Sequence, residues 1–315
     1  MVNIKIEDLH YDLTITPIDE NNWNWDKWHK DCPMDYLKAI YILNMADNPI
    51  VQSELFKAIW RVAQMHIPNV LYKYYSLSDD VEPNEKKFQT LKAGKIFMSE
   101  IKDFNDPYDS KCFFYDSAKL ADIERLKPHG GKFIDDFTTY IRGTALTENG
   151  VQSMPMWAHY SNNHSGFCVS YDMNANTQLK GCTFPVQYIA ERLDITSLVR
   201  QQLEQICAAI DSNIAVGEKQ TIINDLTMIL VPQLLYNLKL DQWSYEKEFR
   251  CSIASNAEGS PYTDAIPKEI YIGKNCSEGN KKQLIHICQI FKIPAYQMML
   301  DECEEKCELT SKRIL

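Results

Sequence analysis

The sequence predicts an α+β protein with a mixed or antiparallel sheet core, flanking helices and a helical insertion. Three observations carry that prediction. Short β-rich runs at about 71–77, 95–99, 167–172, 245–253 and 269–273 recur between turn-forming residues. Helical patterns fall between them irregularly, without the strict alternation of a doubly wound parallel sheet. Hydrophobic residues make up 45% and charged residues 24% of 315 residues, the balance of a chain that can bury a core.

Taken in order, residues 1–66 read as an acidic, aromatic N-terminal helical extension with Trp23, Trp25 and Trp28 close together. Its helices are predicted from Met34 to Met45 and from Ser53 to Met65. In the second, Leu55, Ala58, Ile59, Ala63 and His66 recur at helical spacing and predict a packed face. A main domain over 67–315 follows. Leu71 to Leu77 is a strand. Asn84 offers an N-cap to a helix carrying Phe88 and Leu91 on one face, and Gly94 stops it. Lys95 to Ser99 is a strand leading into the turn-forming loop Phe104 to Asp109. Lys132 to Ile141 reads as a helix. Gly143 to Thr147, Gly166 to Asp172 and Phe184 to Ile189 read as strands. Two long helices, about 194–213 and 218–240, form the insertion, with Leu198, Leu203, Ile206, Ile223, Leu226 and Leu230 at helical spacing. Trp243 to Ile253 and Glu269 to Gly273 return to strand. A helix from Asn280 to Phe291 and a strand from Ala295 to Leu300 close the domain.

The net charge is −10, and Lys/Arg runs do not exceed pairs such as Lys86-Lys87, so broad duplex nucleic-acid binding is disfavoured. No stretch approaches the ~20 apolar residues of a membrane span. Ten cysteines without a framework spacing and a polar start predict a reducing, cytoplasmic setting. Cys303 and Cys307 lie four apart without a second pair. His159 and His164 lack a third and fourth partner. No metal site is predicted.

Candidate chemistry concentrates in four segments. On a strand, alternate residues share a face, so Glu246, Glu248 and Arg250 project together while Phe249 and Cys251 point the other way. That row reads either as a solvated strand face or as a cleft wall in which Arg250 grips a carboxylate. Trp157, His159 and Tyr160 set rings beside polar groups just ahead of a Gly-led strand. They read either as packing or as a stacking surface. Asn105 and Asp106 fall in an Asn-Asp-Pro turn, a commoner explanation than ligand binding. Lys73, between Tyr72 and Tyr74, is an anion contact or a snorkelling strand residue.

The order LYKYYSL, FNDPYD, MWAHYSNNHSGFCVSYD, then WSYEKEFR with EIYIG resembles the bacterial domain-of-unknown-function family numbered 2971 over about 70–300. The same order of parts is similar to ADP-ribosyltransferase-like folds. That resemblance implies NAD as substrate and a late-strand carboxylate, Glu248 or Glu246, stabilising an oxocarbenium ion. It implies Lys73 or Tyr72 as ribose or phosphate anchor, and Tyr160 or Trp157 as the stacking ring. The His or Arg usual on the first strand and a clear Ser-Thr-Ser are missing. The competing expectation is a non-catalytic nucleotide- or peptide-binding, sensing domain of a bacterial conflict or phage-defence system, with an unidentified macromolecular target.

Overall fold

A computed structural model describes residues 33–315 except 47, 79–80, 110, 134–140, 216–225, 255–259 and 301–307. Trp23, Trp25, Trp28, Cys303, Cys307 and most of the helix expected at Lys132–Ile141 lie outside the described residues. In chain order the elements begin with α1 (Tyr36–Asn44), α2 (Pro49–Met65), β1 (Val70–Tyr75), α3 (Val81–Lys92), β2 (Lys95–Phe97), β3 (Ser99–Glu100) and β4 (Phe113–Phe114). Next come β5 (Ile141–Thr147), α4 (Met154–Tyr160), β6 (Phe167–Asp172), α5 (Thr177–Gly181), β7 (Thr183–Pro185), β8 (Gln187–Ile189) and β9 (Leu193–Asp194). The series ends with α6 (Thr196–Ala215), α7 (Thr227–Leu235), β10 (Leu238–Leu240), β11 (Glu248–Ala254), β12 (Tyr262–Asp264), β13 (Glu269–Ile272), α8 (Glu278–Phe291), β14 (Ala295–Leu300) and β15 (Leu309–Arg313). The fold is α+β with a mixed sheet, as the irregular mixture of periods predicts.

The chain forms two compact units. One comprises 1–66, 101–141 and 187–242; the other comprises 67–100, 142–186 and 243–315. In the first, Asn48 caps α2 by accepting from Ile50 and Val51, and Pro49 supplies a preset φ at the first helical position. Leu55, Ile59, Val62 and Ala63 form the buried face of α2, close to the expected stripe. The α7 helix packs on α1, and Gln202 of α6 donates to Thr227 of α7 at 3.2 Å. Parallel pairs β8–β10 and β4–β9 complete this unit. A cavity of about 390 Å³ is lined mainly by apolar side chains including Phe113, Tyr115, Val199, Val231 and Tyr236.

The second unit holds a nine-stranded sheet in the order β15-β14-β13-β6-β1-β5-β11-β7, with β3 also on β5. The β13 and β14 strands run parallel, joined by α8. Strand β1 runs antiparallel to both β5 and β6. Alternation gives the sheet two distinct faces. Leu71, Leu146, Val169, Phe249, Cys251 and Ile270 meet Phe88 and Leu91 of α3 and Leu284 and Ile287 of α8 on the first face. Tyr74, Cys168, Tyr271 and Met298 meet Met156 and Trp157 of α4 on the second.

Several boundaries differ from expectation. Asn84 is not an N-cap. It sits inside α3, and its amide grips Ser78 by accepting from the backbone N–H and donating to the carbonyl. The run 95–99 splits because the Met98 N–H turns to Pro261. As a result β2 pairs with β12 in a separate ribbon, and only β3 joins the main sheet. Phe184–Ile189 is two strands. The Val186 N–H bonds to Glu248, whereas the Gln187 N–H bonds to Asn237. The helix expected to reach residue 240 stops at Leu235, and Leu238–Leu240 becomes a strand paired to β8. Finally, Trp243–Ile253 is not one strand. Residues Asp241–Glu246 form a 3-10 turn, Lys247 takes φ +45°, and the strand starts at Glu248.

Candidate functional site

The second sheet face gathers most of the candidate residues. Helix α4, with Pro155 in its first turn, sets Trp157 inward and His159 outward. Trp157 is fully buried. Its indole N–H donates to the Val151 carbonyl at 2.8 Å, and its ring meets Tyr74 edge-on at 5.1 Å and stacks on His164 at 6.0 Å. It is a packing residue, enclosed on several sides, and not a stacking platform for a ligand. His159 is exposed on the opposite side of the helix. Three successive left-handed residues, Asn162, Asn163 and His164, then turn the chain into β6. Gly166 lets this turn press on β1, because a Cβ there would lie 1.9 Å from the Tyr75 carbonyl oxygen.

Tyr160, half-buried, donates its hydroxyl to the Glu246 carboxylate. Thr147 at the end of β5 donates to the Glu246 carbonyl at 2.6 Å, and Asn149 donates to the Tyr245 carbonyl at 2.6 Å. The 3-10 turn is thereby clamped to β5. Its Glu246 side chain is buried. The Tyr160 hydroxyl gives this buried carboxyl group a fixed hydrogen-bond donor in place of solvation water.

Glu248 and Arg250 share the strand face that the period predicts, and they bind each other. The Arg250 Nε donates to Glu248 Oε1 at 2.7 Å and Nη2 approaches Oε2 at 3.4 Å, with side-chain exposures of 0% and 3%. This is a buried, paired charge on a packed strand rather than a solvated row. Glu246 leaves that row because of the Lys247 turn.

Lys73 lies on the other face, with Leu71 and Tyr75, so strand alternation separates it from the Glu248–Arg250 side. Its ammonium donates to Thr144 Oγ1 at 2.6 Å and approaches the Ala145 carbonyl at 3.5 Å and the Tyr75 ring at 5.3 Å. Burial holds its pKa down at about 8, with the Glu248 charge pulling the other way. Tyr72 stays on the second face, where it pairs with Ser170 on one side and Thr147 on the other. Asn105 and Asp106 belong to the other unit. There Asn105 is exposed, and Asp106 closes a turn by accepting from the Tyr108 N–H at 2.9 Å. The sheet unit therefore brings Glu246, Tyr160, Thr147 and Tyr72 together at its second face, and the Glu248–Arg250 pair lies on that same face of β11.

Sequence reasoning passed over Glu269, Ser170 and Thr147. The signal for Glu269 was present, since EIYIG puts Glu269 and Tyr271 on one strand face. Cys182 was also missed. It has a pKa lowered to about 7 by hydrogen bonding from Cys251, which sits on the facing strand beside Thr183. Nothing local to Cys182 marks it, because its partner is far along the chain. Among the described residues no cluster of three His, Cys, Asp or Glu could hold a metal.

A family model described as a protein of unknown function (DUF2971) matches residues 156–251. The resemblance read from the motifs is found over that stretch, which includes Trp157, Tyr160, Glu246, Glu248 and Arg250. No curated protein and no solved structure matches the chain.

Proposed function

We propose that the chain is an ADP-ribosyltransferase-like enzyme that uses NAD as substrate, with Glu246 as the catalytic carboxylate. The observation that supports this reading is the Glu246–Tyr160 pair: a buried carboxylate fixed in place beside the face that carries Tyr72. The nicotinamide–ribose C–N bond breaks with its electron pair passing to the ring nitrogen, which neutralises the pyridinium. Glu246 stabilises the positive charge left on the ribose carbon. An acceptor hydroxyl, amine or water then bonds to that carbon and gives its proton to the carboxylate. Tyr160 is a positioning residue, and Tyr72 contacts the ribose. Arg250 neutralises Glu248 beside it on the same strand face.

A second reading, a non-catalytic nucleotide- or peptide-binding domain in a conflict or phage-defence system, is favoured by one observation. Glu246, Glu248 and Arg250 are all buried, as in a structural polar cluster. Nicotinamide release and ADP-ribose transfer from labelled NAD separate the two. Glu246→Gln should retain the fold and lose about 100-fold or more in turnover. Wild-type protein that neither binds millimolar NAD nor releases nicotinamide would overturn the first reading.

A further inference from the structure

The cavity of the first unit is built from three short stretches of sequence. Ile195, just ahead of α6, and Leu198, Val199 and Gln202 within it recur at helical spacing and face the cavity together. Val231 and Leu235, four apart on α7, form a second wall. Phe113 and Tyr115, two apart at β4, form a third. Parallel pairing of β4 with β9 brings that wall beside the start of α6, because β9 runs almost directly into the helix. The resulting space of about 390 Å³ falls in the range of small-molecule sites, about 300–1,000 Å³.

The walls select the shape of an occupant. The Tyr115 and Phe133 rings stack on each other, 4.9 Å between centroids and 25° apart. The Arg192 guanidinium covers one face of Phe114, 5.5 Å from the ring centroid. The cavity therefore presents ring edges and aliphatic branches more than open ring faces. Such walls suit a flexible alkyl chain better than a flat heterocycle, whose stacking partners are already taken.

The rim selects the charge. Lys111 and Arg192 are the charged residues of the lining, and no Asp or Glu joins them. Both are exposed, which places them where the cavity meets solvent. Arg192 is fixed there: its Nε donates to the Lys111 carbonyl at 2.8 Å and its Nη2 to the Phe113 carbonyl at 2.7 Å. Two neutral acceptors leave the guanidinium charge uncompensated. Among the described residues, neither cation pairs with a carboxylate, and Arg192 Nη1 and the Lys111 ammonium donate no hydrogen bond. In a chain of net charge −10, this is a local positive rim over an apolar interior. An alkyl chain ending in a carboxylate answers both surfaces, its two oxygens taking the free N–H groups of the two cations.

We propose that this cavity binds a medium-chain alkyl carboxylate, with its head at Lys111 and Arg192. The inference stands apart from NAD use, whose residues belong to the other unit, and is tested without NAD. Octanoate, octanol and octyltrimethylammonium, each monomeric in solution, are titrated calorimetrically into the full chain. The same titrations are run on Lys111→Met, on Arg192→Met and on Leu198→Trp, which fills the space, with thermal unfolding as the check on each fold. Lys111→Met removes an ammonium that ties nothing together, so it reports on the rim even if Arg192→Met fails to fold. One octanoate should bind per chain. Octanol should bind about tenfold more weakly, and the ammonium more weakly still. Each rim substitution should weaken octanoate about threefold to fivefold, the scale of an exposed charge contact, and leave octanol unchanged. Leu198→Trp should weaken octanoate and octanol alike. Absence of saturable octanoate binding, several equivalents per chain, equal affinity for octanol or the ammonium, or undiminished octanoate affinity in folded Lys111→Met or Leu198→Trp would overturn the proposal.

Discussion

Replacing Arg250 with Met should expose how much of the second unit rests on its buried ion pair. The Arg250 and Glu248 side chains are 0% and 3% exposed and meet at 2.7 Å. Removing the guanidinium deletes the cationic side of the pair and leaves the Glu248 carboxylate in a site that water does not reach. Breaking one side of such a pair costs about 3–5 kcal/mol. Hydrogen exchange at the β1 and β6 amides reports on this sheet alone. Those amides should exchange between roughly a hundredfold and a few thousandfold faster, at about 1.4 kcal/mol per decade. A Glu248→Leu, Arg250→Met double variant removes both charges and should recover most of the loss, since an apolar pair of similar volume is commonly neutral or better. A single-variant loss below about 1 kcal/mol, the value of an exposed pair, would refute the reasoning. So would a double variant that loses as much as the two singles together. The same logic applies to Glu248→Gln: lost turnover there would mix chemistry with stability, which makes Glu246→Gln the cleaner catalytic test.

Two further outcomes follow from titrating groups. Lys73 has a folded pKa of about 8 against an ordinary 10.5, so between those values the unfolded chain holds a proton that the folded chain has shed. Stability should therefore rise with pH across that window, and below about 8 the burial penalty is fully in force. Lys73→Met should abolish this slope and stabilise the protein at neutral pH by on the order of 3 kcal/mol at most, read by urea denaturation at a series of pH values. Cys182, with its pKa near 7, should be alkylated at a rate that rises through neutral pH. Cys251→Ala removes the sulfhydryl donor and should move that rise upward, as followed by mass spectrometry of the modified peptide.

Periodicity made the sheet legible where strands are long and two-faced. Phe249 and Cys251 point into the core as alternation predicts, and Glu248 and Arg250 point away from it. The same alternation places Lys73 on the core side, away from the residues it was expected to join. That outcome was readable in Leu71-Tyr72-Lys73-Tyr74-Tyr75, once Leu71 is known to be buried. What could not be read is where a regular period stops. Lys247 in a left-handed conformation breaks the Glu-x-Glu spacing, yet a lysine carries no signal for positive φ. The Phe184–Ile189 run looks like one strand because its composition is uniform. The change of hydrogen-bonding partner between Val186 and Gln187 depends on strands more than 45 residues away. Non-local pairing of this kind also hid the Glu269–Ser170–Tyr72 row, whose members come from three separate segments.

The two units are threaded rather than consecutive, and the chain passes from one to the other five times. During synthesis, β1 emerges early, but its neighbours β5 and β6 follow only after residues 101–141 have left the ribosome. The strand bearing Glu248 and Arg250 comes later still, and β13 to β15 last. The central strand must therefore wait, with its pairing groups open to water or to a chaperone, until β6 has been made, and the sheet is complete only when β15 emerges. For the experimenter, cutting the gene at its end removes strands from the sheet, and cutting at its start removes α1 and α2 from the other unit, so neither cut releases a domain. The stretch 156–251 matched by the family model starts in the sheet unit, crosses the other and returns, so it does not delimit a fragment that could be expressed alone.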